Sequence, residues 1–137
     1  MANLYGVPPF VVADAFKALT DAAQVFIAHN VSFDMFMMKN FIARLADSRL
    51  TLAHLDSGTF CTMKGMMYET NIPSPYGYKE PKWPTLQEAY KHAFGEGFSG
   101  AHDAMADVWA CARIYEWLMN KKVTSIKDGS AVAPTAA

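Results

Sequence analysis

Val25-Phe-Ile-Ala-His-Asn-Val-Ser-Phe-Asp-Met-Phe-Met-Met38 changes hydrophobic period partway along its length. Val25–Ala28 is a short apolar run with β-branched residues, which predicts a buried strand. His29-Asn-Val-Ser32 interrupts the run, and the spacing then predicts a helix from Phe33 to Ala46 with Asp34 in its first turn. A strand passing into a helix is the repeating unit of α/β folds, in which sites gather at the carboxyl ends of the strands. Asp34 stands at such an end. The methionine-rich run Met35–Met38 is expected to be core.

Upstream, Val11, Val12, Ala15, Phe16 and Leu19 mark a helix over 11–23. Met1–Pro9 reads as an irregular lead-in. It holds Pro8-Pro9 and no basic run, so a secretory signal is not expected there and the cytoplasm is the default compartment. Downstream, Thr59–Met63 reads as a second short strand. Asn71–Pro84 contains four prolines and Gly77 and is expected to be a loop. Its mixture of Tyr76, Tyr78, Lys79, Lys82 and Trp83 suits contact with a single nucleic-acid strand, although loop packing is the commoner role for such residues. Thr85 and Glu88 form a capping-box pattern that opens a helix over 86–94.

Gly95-Glu-Gly97 and Gly100 then signal a turn ahead of the apolar helix that runs to Met119. His102 is expected on the loop leading in or in the first helical turn, with Asp107 about a turn further on, where the helix packs against its neighbours. An unpaired buried carboxylate is costly. A divalent cation would offset that cost, and a nearby imidazole could serve as base toward a water molecule. Asp103 reads as an ordinary favourable charge at a helix start. From Val123 to Ala137 the composition shifts to Ser, Ala, Thr and Pro, which predicts a disordered tail after a domain spanning 1–122.

With 137 residues, the chain is long enough for one domain with a real core. Its hydrophobic content is 52%, charged residues are 18%, and the net charge is −1 with a pI near 6.4. That balance excludes a protein that coats nucleic acid by charge alone. A small cleft remains compatible with it. Cys61 and Cys111 lie in no metal-ligand spacing and read as free thiols. No apolar run approaches the length of a membrane span.

Taken together, His29-Asn-Val-Ser-Phe-Asp34 and Ala101-His-Asp-Ala-Met-Ala-Asp107 resemble the second and third motifs of the DEDDh 3′–5′ exonucleases. That family includes the proofreading epsilon subunit of bacterial DNA polymerase III and RNase T. Lys82-Trp-Pro-Thr-Leu-Gln-Glu-Ala-Tyr90 and Phe94-Gly-Glu-Gly97 also resemble bacterial and phage members. The resemblance covers roughly Gly6 to Met119. It implies an RNase H-like α/β fold, here N-terminally truncated, with helices around a reduced mixed sheet. It also implies release of 5′-mononucleotides from the 3′ end of single-stranded DNA or RNA, with two Mg²⁺ or Mn²⁺ ions at the scissile phosphate. By the same resemblance, Asp34 and Asp107 would be metal ligands and His102 the general base. Asn30 and Phe33 would shape the terminal-nucleotide pocket, with His29 and Trp83 as further substrate contacts. Read by itself, His29 is a structural imidazole, like His54 and His92.

One part of the pattern is missing. The family's first motif, Asp-x-Glu, supplies two more carboxylates, and none of the eight aspartates is followed two places on by glutamate. Met1–Pro8 also resembles an internal stretch of longer relatives, so the chain is expected to match the C-terminal two-thirds of the family domain. Two dications close together repel strongly, and two carboxylates cannot offset their charge. The expectation for the isolated chain is therefore weak activity or none. The alternative reading is a non-catalytic remnant or split-gene half that binds nucleic acid, a polymerase subunit or an N-terminal partner, with self-association through an uncovered strand edge.

Overall fold

A computed structural model describes residues 6–45 and 58–127. The expectations for the lead-in before Gly6, for His54 and for the tail beyond Lys127 lie outside the described residues. The described chain is mixed α/β, with five helices and a two-stranded parallel sheet. Contacts divide it into two units, Met1–Cys61 and Thr62–Ala137.

In the first unit, α1 spans Pro9–Ala22, with Pro8 as its N-cap and Pro9 at its first position. The fixed φ of proline suits a first helical turn, where its missing N–H costs nothing, so the helix starts two residues before Val11. The helix buries Ala13 and Thr20, with Phe16 half-buried on the same stripe. Val11, Val12 and Leu19, which mark the helix in the sequence, lie on its exposed side. Apolar spacing thus located the helix but not its inward face.

The first strand, β1, is Phe26–Ala28, and it pairs in parallel with β2, Thr59–Cys61. The register sets Phe26 opposite Thr59, Ile27 opposite Phe60 and Ala28 opposite Cys61. The backbone N–H of Phe26 donates to the Gly58 carbonyl at 2.6 Å. The expected buried strand is only half-buried, because no third described strand flanks the pair. Phe16 meets Phe26 edge-on at 5.9 Å.

The next helix, α2, runs Val31–Arg44 and buries Val31, Met35 and Ile42 around Ala13. Within the methionine-rich run, Met35 is buried and Met38 packs against the core, but Phe36 and Met37 face outward. A helix this close to a two-stranded sheet buries only one stripe, so half of that run has nothing to pack on among the described residues.

In the second unit, α3 spans Thr62–Thr70 and begins at the residue after β2. The strand expected over 59–63 therefore ends at Cys61. Thr62, Met63 and Met66 are all buried, which is helical spacing, and the Thr62 hydroxyl contacts Cys111 Sγ at 3.4 Å. The fourth helix, α4, is Leu86–Phe94, with the capping box formed as expected and Gly95 as a left-handed C-cap at φ 82°. The last, α5, runs Ala104–Lys127 and so remains helical past Val123, where the composition predicted a tail. Met66, Ala89, Tyr90, Ala110, Cys111, Ile114 and Leu118 are buried with Thr62, Met63 and Pro84 in this three-helix unit. Both cysteines are free. No described helix is long and apolar enough to cross a membrane.

Candidate functional site

Each sequence motif folds as a turn with a left-handed residue, followed by a carboxylate in the first turn of the next helix. In the first unit the turn is His29-Asn30, directly after β1. Asn30 has φ 75° and ψ 53° and caps α2. Its side chain makes no cap hydrogen bond, so the left-handed backbone is what asparagine contributes there. The Phe33 N–H donates to the Asn30 carbonyl at 2.9 Å. The helix begins at Val31, slightly before the expected Phe33, and Asp34 still falls in its first turn.

Asp34 lies on the same stripe as buried Val31 and Met35 and is itself half-buried. Partial burial raises its carboxyl above the ordinary carboxylate range, and a hydrogen bond from its own backbone and the charge of His29 offset part of that rise. Phe33 is exposed, so its ring is open to a flat partner. The structure thus brings together His29, Asn30, Phe33 and Asp34 within one turn.

In the second unit the turn is Gly100-Ala101-His102. Gly100 has φ 80° and His102 has φ 75°. A Cβ at Gly100 would lie 3.2 Å from that of Ala106, so glycine serves both conformation and space there. Asp103 is more than a favourable charge. Its Oδ1 accepts the N–H groups of Met105 and Ala106, each at 3.1 Å, and this caps α5.

Asp107 Oδ1 accepts the backbone N–H of His102 at 3.4 Å. The contact holds the His102 main chain, while its exposed imidazole has no hydrogen-bond partner among the described residues. His102 lies on the loop and Asp107 in the first helical turn, half-buried, as the spacing predicted.

Trp83 is exposed in the loop before α4 of the second unit. Its neighbour Lys82 is committed elsewhere, with its Nζ on Glu88 Oε1 at 2.8 Å and its N–H on the Ile72 carbonyl at 2.9 Å. Glu88 in turn accepts from the Thr85 N–H at 2.8 Å. Lys82 and the Thr85 backbone together hold the Glu88 carboxyl below its ordinary value. The free cation of the loop mixture is therefore not Lys82. Tyr76 and Tyr78 project as a tilted, exposed pair 6.3 Å apart.

The donor chemistry of these residues does not fit a pair of divalent cations. A pair needs about four carboxylates to offset its charge. The motifs supply one in each unit, since Asp103 is occupied in capping. No group of three His, Cys, Asp or Glu side chains with metal-holding geometry occurs among the described residues.

Trp109 and Arg113 escaped the sequence reading and line a cavity in the second unit together with Ala106 and Ala110. The signal available was their spacing, which places a Trp and an Arg with two alanines along one helical stripe. Comparison with protein-family models, curated proteins and solved structures found no match to this chain.

Proposed function

We propose that this chain carries the second and third motifs of a DEDDh-type 3′–5′ exonuclease site with an RNase H-like fold, and that the remaining carboxylates come from outside these 137 residues. The observation that supports the reading is the repeated local geometry. In both motifs a left-handed residue, Asn30 or His102, precedes a half-buried carboxylate in the first turn of a helix. Asp107 orients the loop that bears His102, whose exposed ring would take a proton from the attacking water. Asp34 adds negative charge at the carboxyl end of β1, and the exposed Phe33 offers a face on which a terminal base could stack.

In the family, the bound Mg²⁺ or Mn²⁺ pair supplies electrostatic stabilisation of the scissile phosphate. Asp34 and Asp107 alone do not fit that pair. Within the second unit Asp107 would hold the His102 loop and His102 would take the proton, while the metal pair would need further carboxylates. The same deficit favours a second reading, in which the chain binds a single strand, a polymerase subunit or a complementing segment without hydrolysing anything.

The test is degradation of a 5′-labelled single-stranded DNA or RNA oligonucleotide in Mg²⁺. The chain alone is expected to release no mononucleotides. Addition of a strand-forming segment that bears Asp-x-Glu is expected to restore stepwise release, which His102→Ala and Asp107→Asn then abolish. Robust release by the chain alone, lost in Asp107→Asn, would overturn the incompleteness. Oligonucleotide binding without hydrolysis even after complementation would leave the second reading in place.

A further inference from the structure

A cavity of about 340 Å³ opens in the second unit between the loop 96–99 and one stripe of α5. It is separate in character from the His102 turn, because its lining is aromatic, cationic and hydrogen-bonding. Its size is at the lower end for small-molecule sites, and it is open to solvent on one side.

Three features define what it would hold. Arg113 extends over the rings of Tyr90 and Phe94, at 5.2 and 4.3 Å from their centroids, and donates through Nη1 to the Tyr90 hydroxyl. Those contacts fix the guanidinium, yet it has no carboxylate partner among the described residues. A fixed fork of this kind accepts an anion such as phosphate with two parallel hydrogen bonds.

Trp109 lies on the same helical stripe and is 65% exposed, so its indole face is uncovered at the rim. Glu96 and Ser99 stand on the loop side and supply acceptors and a hydroxyl for the polar edge of a ring.

The loop wall is built in advance. The Gln87 amide donates from Nε2 to the Phe98 carbonyl at 2.7 Å, and its Oε1 accepts the Phe98 N–H at 3.3 Å. A Cβ on Gly97 would fall 2.9 Å from that same Oε1. Glycine at 97 leaves the Gln87 amide undisturbed, and the clamp ties the loop to α4 before any ligand arrives. Preorganisation of this kind lowers the cost of binding.

We propose that this cavity binds a nucleoside 5′-monophosphate, with the base stacked on Trp109 and its polar edge toward Glu96 and Ser99, and with the phosphate on Arg113. The indole selects a flat ring, the carboxylate selects ring N–H donors, and the guanidinium selects the anion. Neither a simple anion nor an uncharged ring satisfies all three. The site uses none of His102, Asp107 or Asp34, and it does not rest on the hydrolytic reading.

The test is a titration of the whole chain with guanosine 5′-monophosphate, followed through backbone and indole N–H resonances, with EDTA present throughout. Saturable shifts are expected at the Trp109 indole and along Phe98–Ser99. Guanosine and inorganic phosphate are each expected to bind at least about tenfold more weakly, since each satisfies only part of the site. Trp109→Ala, at an exposed position, is expected to weaken binding about tenfold or more while keeping the native spectrum. Arg113→Lys keeps the charge and loses the fork, and is expected to weaken binding as well.

Absence of saturable binding overturns the proposal, as does unchanged affinity in both variants. Phosphate binding as tightly as the nucleotide also overturns it, because the ring would then contribute nothing. Because no metal or hydrolysis enters the measurement, its failure leaves the exonuclease reading untouched, and the converse also holds.

Discussion

Asp34 shows how the energy of one residue can oppose the fold that holds it. Its carboxyl is raised above an ordinary value of 3.8, first by burial and only partly offset by its backbone and His29. The native state therefore holds that proton more tightly than the unfolded chain does. Stability from this group is greatest below the ordinary value and declines as pH rises through the raised one. Asp34→Asn removes the penalty, so urea midpoints are expected to rise for the variant at pH 7 and to converge with wild type near pH 3. A midpoint lower than wild type at pH 7 would contradict the direction assigned to the shift. His102 poses a different residue-scale cost, since an L side chain at φ 75° is strained. His102→Gly is expected to be about 1 kcal/mol more stable than His102→Ala, and paired denaturation curves of the two variants measure the difference. Equal stabilities would mean that the turn relaxes when the ring is removed.

Among the elements, α4 is the one whose boundaries its own residues set most completely. Thr85 accepts the Glu88 N–H at 3.2 Å, Glu88 accepts the Thr85 N–H at 2.8 Å, and Gly95 ends the helix in the left-handed region. Thr85→Ala is expected to cost about 1 kcal/mol, readable as a lowered melting temperature. Glu88 has a lowered carboxyl, caused first by Lys82 and then by the Thr85 backbone. Its stabilisation is complete above the ordinary value of 4.5 and is lost as pH falls through the lowered value. Glu88→Gln is accordingly expected to flatten the acid side of the stability profile and to leave its neutral side sloped as before. An unchanged acid limb would show that Lys82 and Thr85 do not discriminate between the two protonation states. By contrast, α3 has no cap pattern and contains Gly65, a poor helix former, so local preference alone does not select a helix there.

At the scale of the whole chain, the first unit combines a two-stranded sheet with large apolar side chains in solvent. Phe10, Leu19, Phe33 and Phe36 are each at least 59% exposed. A two-stranded sheet is marginal by itself, and contiguous apolar surface in water drives association. Sedimentation is therefore expected to show mass rising with concentration, and Leu19→Lys with Phe36→Lys is expected to shift the chain toward monomer. A monomer at all concentrations would mean that these surfaces tolerate water unaided.

Local chemistry alone was sufficient for several features. The period change at His29-Asn30, the capping box at Thr85 and the glycines before His102 each act through neighbours close in sequence. Strand β1, helices α2, α4 and α5, and the positions of Asp34, His102 and Asp107 at helix starts were legible for that reason. The side of a helix that faces inward was not. Ala13 and Thr20 are buried on α1 while Leu19 is exposed, because burial depends on which partner surface is present and not on apolarity alone. The switch from β2 to α3 at Thr62 was likewise hidden, since it is accompanied by a contact with Cys111, 49 residues away in sequence. The Trp109–Arg113 cavity needed Tyr90 on a different helix as a wall, with Phe94 beneath the Arg113 guanidinium and Gln87 holding the loop. Sequence determined where turns, caps and motif carboxylates fall, because those are short-range. Tertiary structure decided faces, strand ends and cavities, because those are fixed by what the chain meets at long range.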